Sequence, residues 1–232
     1  MIPTPRHDVT VIFDALMGAY GPRSWWPADT PFEVCVGAIL TQNTSWSNVE
    51  RAIANLKLEK MLTAESLRCI PEDQLASLIK PSGCYNVKSR RLKYFISFLH
   101  ESYQGSLNRM FATPWQVLRE ELLAVAGIGR ETADSILLYA GGQPTFVVDT
   151  YTKRLFGRLG LTAVDAEYET LRSFFMSHLP PDETLYNEYH ALIVEHGKQH
   201  CRNKPFCNGC PLSSLCQFVV SDEQRQCHAD TY

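Results

Sequence analysis

Cys201, Cys207, Cys210 and Cys216 put four thiols within sixteen residues, spaced Cys-x5-Cys-x2-Cys-x5-Cys. Four thiolates on a short loop suit either a [4Fe–4S] cluster or a structural zinc ion. Zinc ribbons usually present two Cys-x2-Cys knuckles, and this loop has one, which favours the cluster. His196 and His200 stand one helical turn apart and could suggest zinc, but they precede the loop on a stretch that reads as helix. Between the first two cysteines lie Arg202, Asn203 and Lys204, a basic tip that ligation would fix in place for phosphate contact. The remaining cysteines are scattered. Cys35 falls in an apolar helix as a small buried hydrophobe, and Cys69, Cys84 and Cys227 have no assigned role.

A second constellation starts at Leu122-Leu-Ala-Val-Ala-Gly127-Ile-Gly129-Arg130-Glu131-Thr-Ala133. A helix carrying Leu118, Leu122 and Val125 stops at Gly127, and the next begins near Arg130. Gly127 and Gly129 permit positive φ and leave no side chain between the turn and a ligand. The first amides of the second helix can then face an anion such as a DNA phosphate, a contact that positions without reading sequence. A plain glycine turn between helices fits this segment alone equally well. Farther on, Pro144-Thr-Phe-Val-Val-Asp149-Thr places an aspartate where an apolar run meets a new helix. Asp149 can serve as an N-cap, and the helix dipole favours its charged form, so it can face a developing cation.

Helices must position these groups. Apolar residues recur at helical spacing in Val9-Ile12-Phe13-Leu16, Val49-Ala52-Ile53-Leu56, Leu92-Phe95-Ile96-Leu99, Ala133-Ile136-Leu137-Ala140 and Leu185-Tyr189-Leu192-Ile193. Each stripe needs a partner helix to bury it. The one β-like run, Thr145 to Val148, is too short to make a sheet, so the expected fold class is all-α. Breakers separate the segments at Pro27–Pro31, Pro71, Pro81–Gly83, Gly105, Pro114, Gly141–Pro144 and Pro180–Pro181. The 232 residues suit one large domain or two small ones, with no internal repeat. The composition, 45% hydrophobic and 20% charged, excludes a disordered or fibrous chain. No apolar run is long enough to span a bilayer, and the N-terminus lacks the layout of a signal peptide. The expectation is a cytoplasmic protein with no membrane partner, nucleoid-associated in a prokaryote. A net charge of 22 − 25 = −3 argues against coating nucleic acid through bulk charge, so DNA would have to be held by local basic groups.

Taken in order, four motifs resemble the endonuclease III superfamily of helix-hairpin-helix (HhH-GPD) DNA glycosylases. Gly127-Ile-Gly129-Arg-Glu-Thr-Ala followed by Val-Val-Asp149-Thr is similar to its hairpin, Gly/Pro-rich loop and aspartate signature. Gly83-Cys-Tyr-Asn-Val-Lys88 resembles its Gly-x-Tyr-Asn-x-Lys helix start, and Ala38-Ile-Leu-Thr-Gln42-Asn-Thr the segment with its duplex-wedging glutamine. The cysteine loop resembles the family's cluster loop, with a first gap one residue shorter than usual. Together the matches run from about residue 32 to 216.

The resemblance implies two helical domains with a DNA-binding cleft between them. One is a six-helix domain at 32–145 that carries the hairpin; the other combines 1–31 with 146–232 and ends in the [4Fe–4S] loop. The expected partner is double-stranded DNA containing a damaged base, and the expected state is a monomer. Asp149 is the expected catalytic residue, stabilising an oxocarbenium-like sugar once the nucleotide is flipped out. Gln42, Gly127, Gly129, Arg130, Arg202 and Lys204 are expected on DNA, with Lys88, Arg90, Arg91 and Lys93 as a further basic group. Bifunctional members carry a Schiff-base lysine where this chain has Glu131, so the expectation is a monofunctional enzyme without lyase activity; Lys153 is the nearby substitute. Trp25, Trp26, Trp46 and Glu131 are expected around the base. The Trp-Trp-Pro and Gln-Asn-Thr-x-aromatic patterns are similar to the 3-methyladenine glycosylase branch, which points to a cationic alkylated purine held between aromatic faces. Oxidised pyrimidines and mismatched uracil or thymine are the competing substrates. A non-catalytic DNA-binding module and a redox protein are the competing classes.

Overall fold

The computed structural model describes residues 9–23 and 25–218, and every regular element among them is helical. Cys227 lies outside the described residues. The α-helices in chain order are α1 (Val9–Tyr20), α2 (Pro31–Leu40), α3 (Trp46–Leu58), α4 (Ala64–Cys69), α5 (Glu72–Leu78), α6 (Tyr85–Tyr103), α7 (Leu107–Phe111), α8 (Trp115–Ala124), α9 (Arg130–Ser135), α10 (Thr150–Arg158), α11 (Tyr168–His178) and α12 (Glu183–Gln199). A π-helical turn, Ile136–Ala140, prolongs α9. Among the described residues no helix is long and apolar enough to cross a membrane. The chain divides into two compact units, Trp26–Gln143 and a second made of the described residues up to Trp25 with those from Pro144 onward.

The unit Trp26–Gln143 is built around α2. Thr30 caps this helix by accepting from the Glu33 amide at 3.1 Å, and Pro31 occupies a first-turn position where its missing N–H costs nothing. Every residue from Glu33 to Leu40 is buried, so α2 lies among helices rather than at an edge. Val36, Ile39 and Leu40 join Val49, Ala52 and Leu56 of α3, Leu92, Phe95 and Leu99 of α6, and Leu118 and Leu122 of α8 in one core. The unit holds eight α-helices, α2 to α9. Among them α4, α5 and α7 have six, seven and five residues and are too short to show a repeating stripe in the sequence.

In the other unit α12 is central and packs on both α1 and α10. Its buried face, from Tyr186 and Tyr189 through Val194 to His196 and Gly197, is wider than the four-residue stripe in the sequence. The core here is aromatic. Phe146 stacks on Phe175 with centroids 3.9 Å apart, and Phe156 meets Phe175 edge-on at 4.5 Å. Gly197 lets α12 approach the start of α10 closely, since a Cβ there would lie 2.2 Å from the Tyr151 ring. Thr145 to Val148, the β-like run, is a buried segment outside any regular element, with no strand among the described residues, and it delivers the chain to α10.

Candidate active site

Hairpin geometry follows from local chemistry. After α8 the chain turns at Gly127, with φ +87°, and α9 starts beyond Gly129. Arg91 of α6 lies across Gly127 so closely that a Cβ would fall 2.4 Å from its Cγ, whereas Gly129 has open space where a Cβ would stand. Arg119 of α8 and Asp134 of α9 clamp the two helices together. Nε donates to Oδ1 at 2.8 Å and Nη2 to Oδ2 at 2.9 Å, and the Asp134 side chain is fully buried. Arg130 and Glu131 are exposed in the first turn of α9.

Gln42, just beyond α2, is drawn onto this hairpin. Its Nε2 donates to the Gly127 carbonyl at 3.1 Å and to Thr132 Oγ1 at 2.9 Å, while its Oε1 accepts from Arg91 Nη1. Of the further basic group on α6, Lys88 turns inward. Buried at 2% exposure, its Nζ donates to the Leu40 carbonyl at 2.8 Å and the Ser82 carbonyl at 2.6 Å, and so fixes the end of α2 that carries Gln42. Lys93 donates to the Leu67 and Arg68 carbonyls at the end of α4. Both cations satisfy helix carbonyls that would otherwise lack donors.

Asp149 is the N-cap of α10. Its Oδ1 accepts from the Thr152 amide at 2.8 Å and from Thr152 Oγ1 at 2.9 Å. Oδ2 lies 3.6 Å from Nε2 of His190 on α12, and both side chains are largely buried. Burial pushes the carboxyl pKa up, but the neighbouring His190 and the two Thr152 donors pull harder, holding it below the ordinary aspartate value. The group therefore stays ionised despite its burial. His190 went unnoticed in the sequence because it sits 41 residues from Asp149, on the buried face of an otherwise apolar helix.

Of the four residues expected around the base, Trp26 and Trp46 come together. Their rings meet edge-on with centroids 4.8 Å apart, and Trp26 also lies 5.1 Å from Tyr139. Gly37 on α2 lies against Trp26, and a Cβ there would meet the indole in ordinary contact at 3.4 Å. Tyr139 also escaped the sequence reading, since the π turn puts it off the 133-136-137-140 stripe. Trp25 belongs to the other unit, where Lys198 Nζ lies 5.6 Å from its ring centroid, and Glu131 stands on α9.

The four clustered cysteines line one pocket together with Leu155, Leu159, His196 and Leu212. Burial and then the other three thiols raise the pKa of Cys210, which places all four within electrostatic reach of one another. No three His, Cys, Asp or Glu side chains among the described residues are arranged around a single ion. Four thiols around an apolar-walled cavity fit the donor set of a four-iron cluster. The loop is strapped to α10 by two arginines. Arg154 Nε donates to the Cys201 carbonyl at 2.7 Å, and Arg158 donates to the Arg202 and Asn203 carbonyls at 2.6 and 3.0 Å. Arg202, Asn203 and Lys204 are exposed at its tip. Cys35 is fully buried, while Cys69 and Cys84 are exposed free thiols.

Comparison with known proteins agrees with this geometry. Residues 36–181 match the model of the HhH-GPD superfamily base excision DNA repair proteins. A putative DNA repair glycosylase of Methanocaldococcus jannaschii is 51% identical over 88% of this chain and 94% of its own length. Endonuclease III of Thermotoga maritima is 32% identical, covering 85% of this chain and 87% of that protein. Among solved structures, the H. pylori 3-methyladenine DNA glycosylase MagIII bound to 1,N6-ethenoadenine superposes with a TM-score of 0.71 at 28% identity, over 83% of this chain and 98% of that one. A non-covalent endonuclease III–DNA complex shares the fold with a TM-score of 0.81 at 24% identity, over 95% and 99% of the two chains. The chain thus belongs to the HhH-GPD superfamily of base excision repair proteins, as a DNA glycosylase.

Proposed function

We propose that this chain is a monofunctional glycosylase that binds double-stranded DNA and hydrolyses the N-glycosidic bond of a flipped, alkylated purine. The observation that carries the reading is Asp149, a buried carboxylate kept charged by His190 and Thr152. As the base departs, positive charge grows on the sugar, and a fixed anion stabilises it without reorganising. A carboxylate in that position also orients the attacking water. The hairpin amides with Arg130, and the loop tip with Arg202 and Lys204, supply phosphate contacts on a chain whose net charge is −3.

Glu131 stands where bifunctional relatives have lysine, and a carboxylate cannot form an imine with the sugar aldehyde. The product is therefore an abasic site with the strand intact. Trp26, Trp46 and Tyr139 offer π faces, which suit a cationic purine. Similarity to the H. pylori enzyme supports this choice. Removal of oxidised pyrimidines is the second reading, favoured by the identity with Thermotoga maritima endonuclease III. Cys201, Cys207, Cys210 and Cys216 would hold a [4Fe–4S] cluster, whose part when bound is to stiffen the loop.

The test is a panel of duplexes carrying 3-methyladenine, 1,N6-ethenoadenine, thymine glycol or a uracil mismatch, with the released base identified by mass spectrometry. Release of alkylated purine, with strand breaks appearing only after alkali and no adduct trapped by borohydride, is the expected result. Preferential release of thymine glycol, or a trapped adduct, overturns it.

A further inference from the structure

We propose that His190 is a positioning residue for Asp149, its imidazole holding the carboxylate oxygen that the helix cap leaves over. The proposal rests on the reading of Asp149 as the catalytic group. The two oxygens have unequal company. Oδ1 is committed to the first turn of α10 through the Thr152 amide and hydroxyl at 2.8 and 2.9 Å. Oδ2 is the oxygen left to face a sugar or a water, and the group beside it is Nε2 of His190 at 3.6 Å. Torsions that end in a carboxylate are broad, so a cap made through one oxygen still allows the other to swing. An N–H donor from a second helix limits that swing.

The imidazole is enclosed on a helix that is itself anchored. His190 is 5% exposed, between neighbours on α12 that are fixed in turn. Tyr189 is fully buried and its hydroxyl donates to the Val9 carbonyl at 2.8 Å. Gly197 allows α12 to lie hard against Tyr151 at the start of α10, which brings the two helices close enough for the contact. A separation of 3.6 Å is longer than a closed N–H···O bond. Such bonds in active sites are often long before substrate binds and tighten in the reacting complex.

Histidine is an uncommon choice for packing alone at a position flanked by Ala191, Leu192 and Ile193, all at 2% exposure or less. A leucine would fill the space with less desolvation cost. Pointing a ring nitrogen at the one carboxylate that the reaction needs gives the histidine a use that leucine cannot replace.

The experiment compares the full-length wild-type protein with His190→Leu, His190→Gln and Asp149→Asn. Readouts are single-turnover base release at saturating enzyme, duplex Kd and melting temperature. Glutamine places an amide N–H near the position of Nε2; leucine does not. The expected result is a fall in the release rate of about 10- to 100-fold for H190L, in the range of one lost positioning contact, with Kd within about twofold. H190Q should recover most of that rate while melting no higher than H190L. Equal losses in H190L and H190Q that follow melting temperature would mean packing alone and would overturn the proposal. So would wild-type rates in H190L beside an inactive D149N. Full activity in D149N would overturn the catalytic reading and this proposal with it. Should H190L fail to fold, His190→Met serves as the variant without a donor.

Discussion

Cutting one side of the clamp between α8 and α9 should cost more stability than any other single polar substitution in the hairpin. Arg119 and Asp134 exchange two hydrogen bonds of 2.8 and 2.9 Å, and their side chains are 8% and 0% exposed. Asp134→Ala leaves the guanidinium buried without its carboxylate, and breaking such a pair costs about 3–5 kcal/mol. In a chain of this length each kcal/mol moves Tm by about 2–4 °C, so the expected drop is roughly 6–20 °C. Replacing both partners with apolar residues of similar volume, as in R119M/D134L, removes both buried charges and should restore much of the loss. Calorimetry on the two single variants and the double variant measures the coupling, and binding to undamaged duplex reports whether the hairpin keeps its shape. A D134A variant that melts within about 2 °C of wild type, or a double variant that loses the sum of the singles, would refute the reasoning.

Gly127→Ala should lower stability by about 1–2 kcal/mol from positive φ alone, and more from displacing Arg91, with weaker duplex binding; an Arg91→Ala background should soften the loss if the close contact is the cause. If the four thiols hold the proposed cluster, Cys210→Ser should abolish its absorbance and release iron. If the tip then loses the phosphate contacts proposed for Arg202 and Lys204, the slope of log K against log salt should become shallower by about 1.8. Asp149 has a depressed pKa, so its charged form and the stability that goes with it persist above the unfolded value and are lost only as pH falls through the lower folded one. The pH–rate profile should therefore stay flat on its acid side from neutrality to about pH 5, and an Asp149-dependent decline near neutrality would contradict this.

The all-helical class and the catalytic candidate were legible because both are written locally. Val49, Ala52, Ile53 and Leu56 declare a buried face by spacing, and Asp149 precedes a helix that it does cap. The cysteine spacing likewise located the loop whose thiols share a pocket. What stayed hidden depends on partners distant in the chain. Nothing around His190 signals a carboxylate 41 residues earlier. Lys88 reads as a surface cation beside Arg90 and Arg91, yet it turns in because two carbonyls, from Leu40 and Ser82, converge on it. Gln42 is marked in the sequence as a duplex-wedging glutamine, but only the folded hairpin supplies the Gly127 carbonyl and Thr132 hydroxyl that its amide bonds. Tyr139 was missed because the π turn breaks the 3.6-residue period on which the reading relied.

The most direct test is the rate of base release by Asp149→Asn under single-turnover conditions on an alkylated duplex. Asparagine keeps an oxygen to cap α10 but carries no charge. A fall of about 10²-fold or more with duplex affinity unchanged is the result expected if that anion stabilises the sugar cation. A rate within about threefold of wild type, less than one kcal/mol of barrier, would place the chemistry elsewhere.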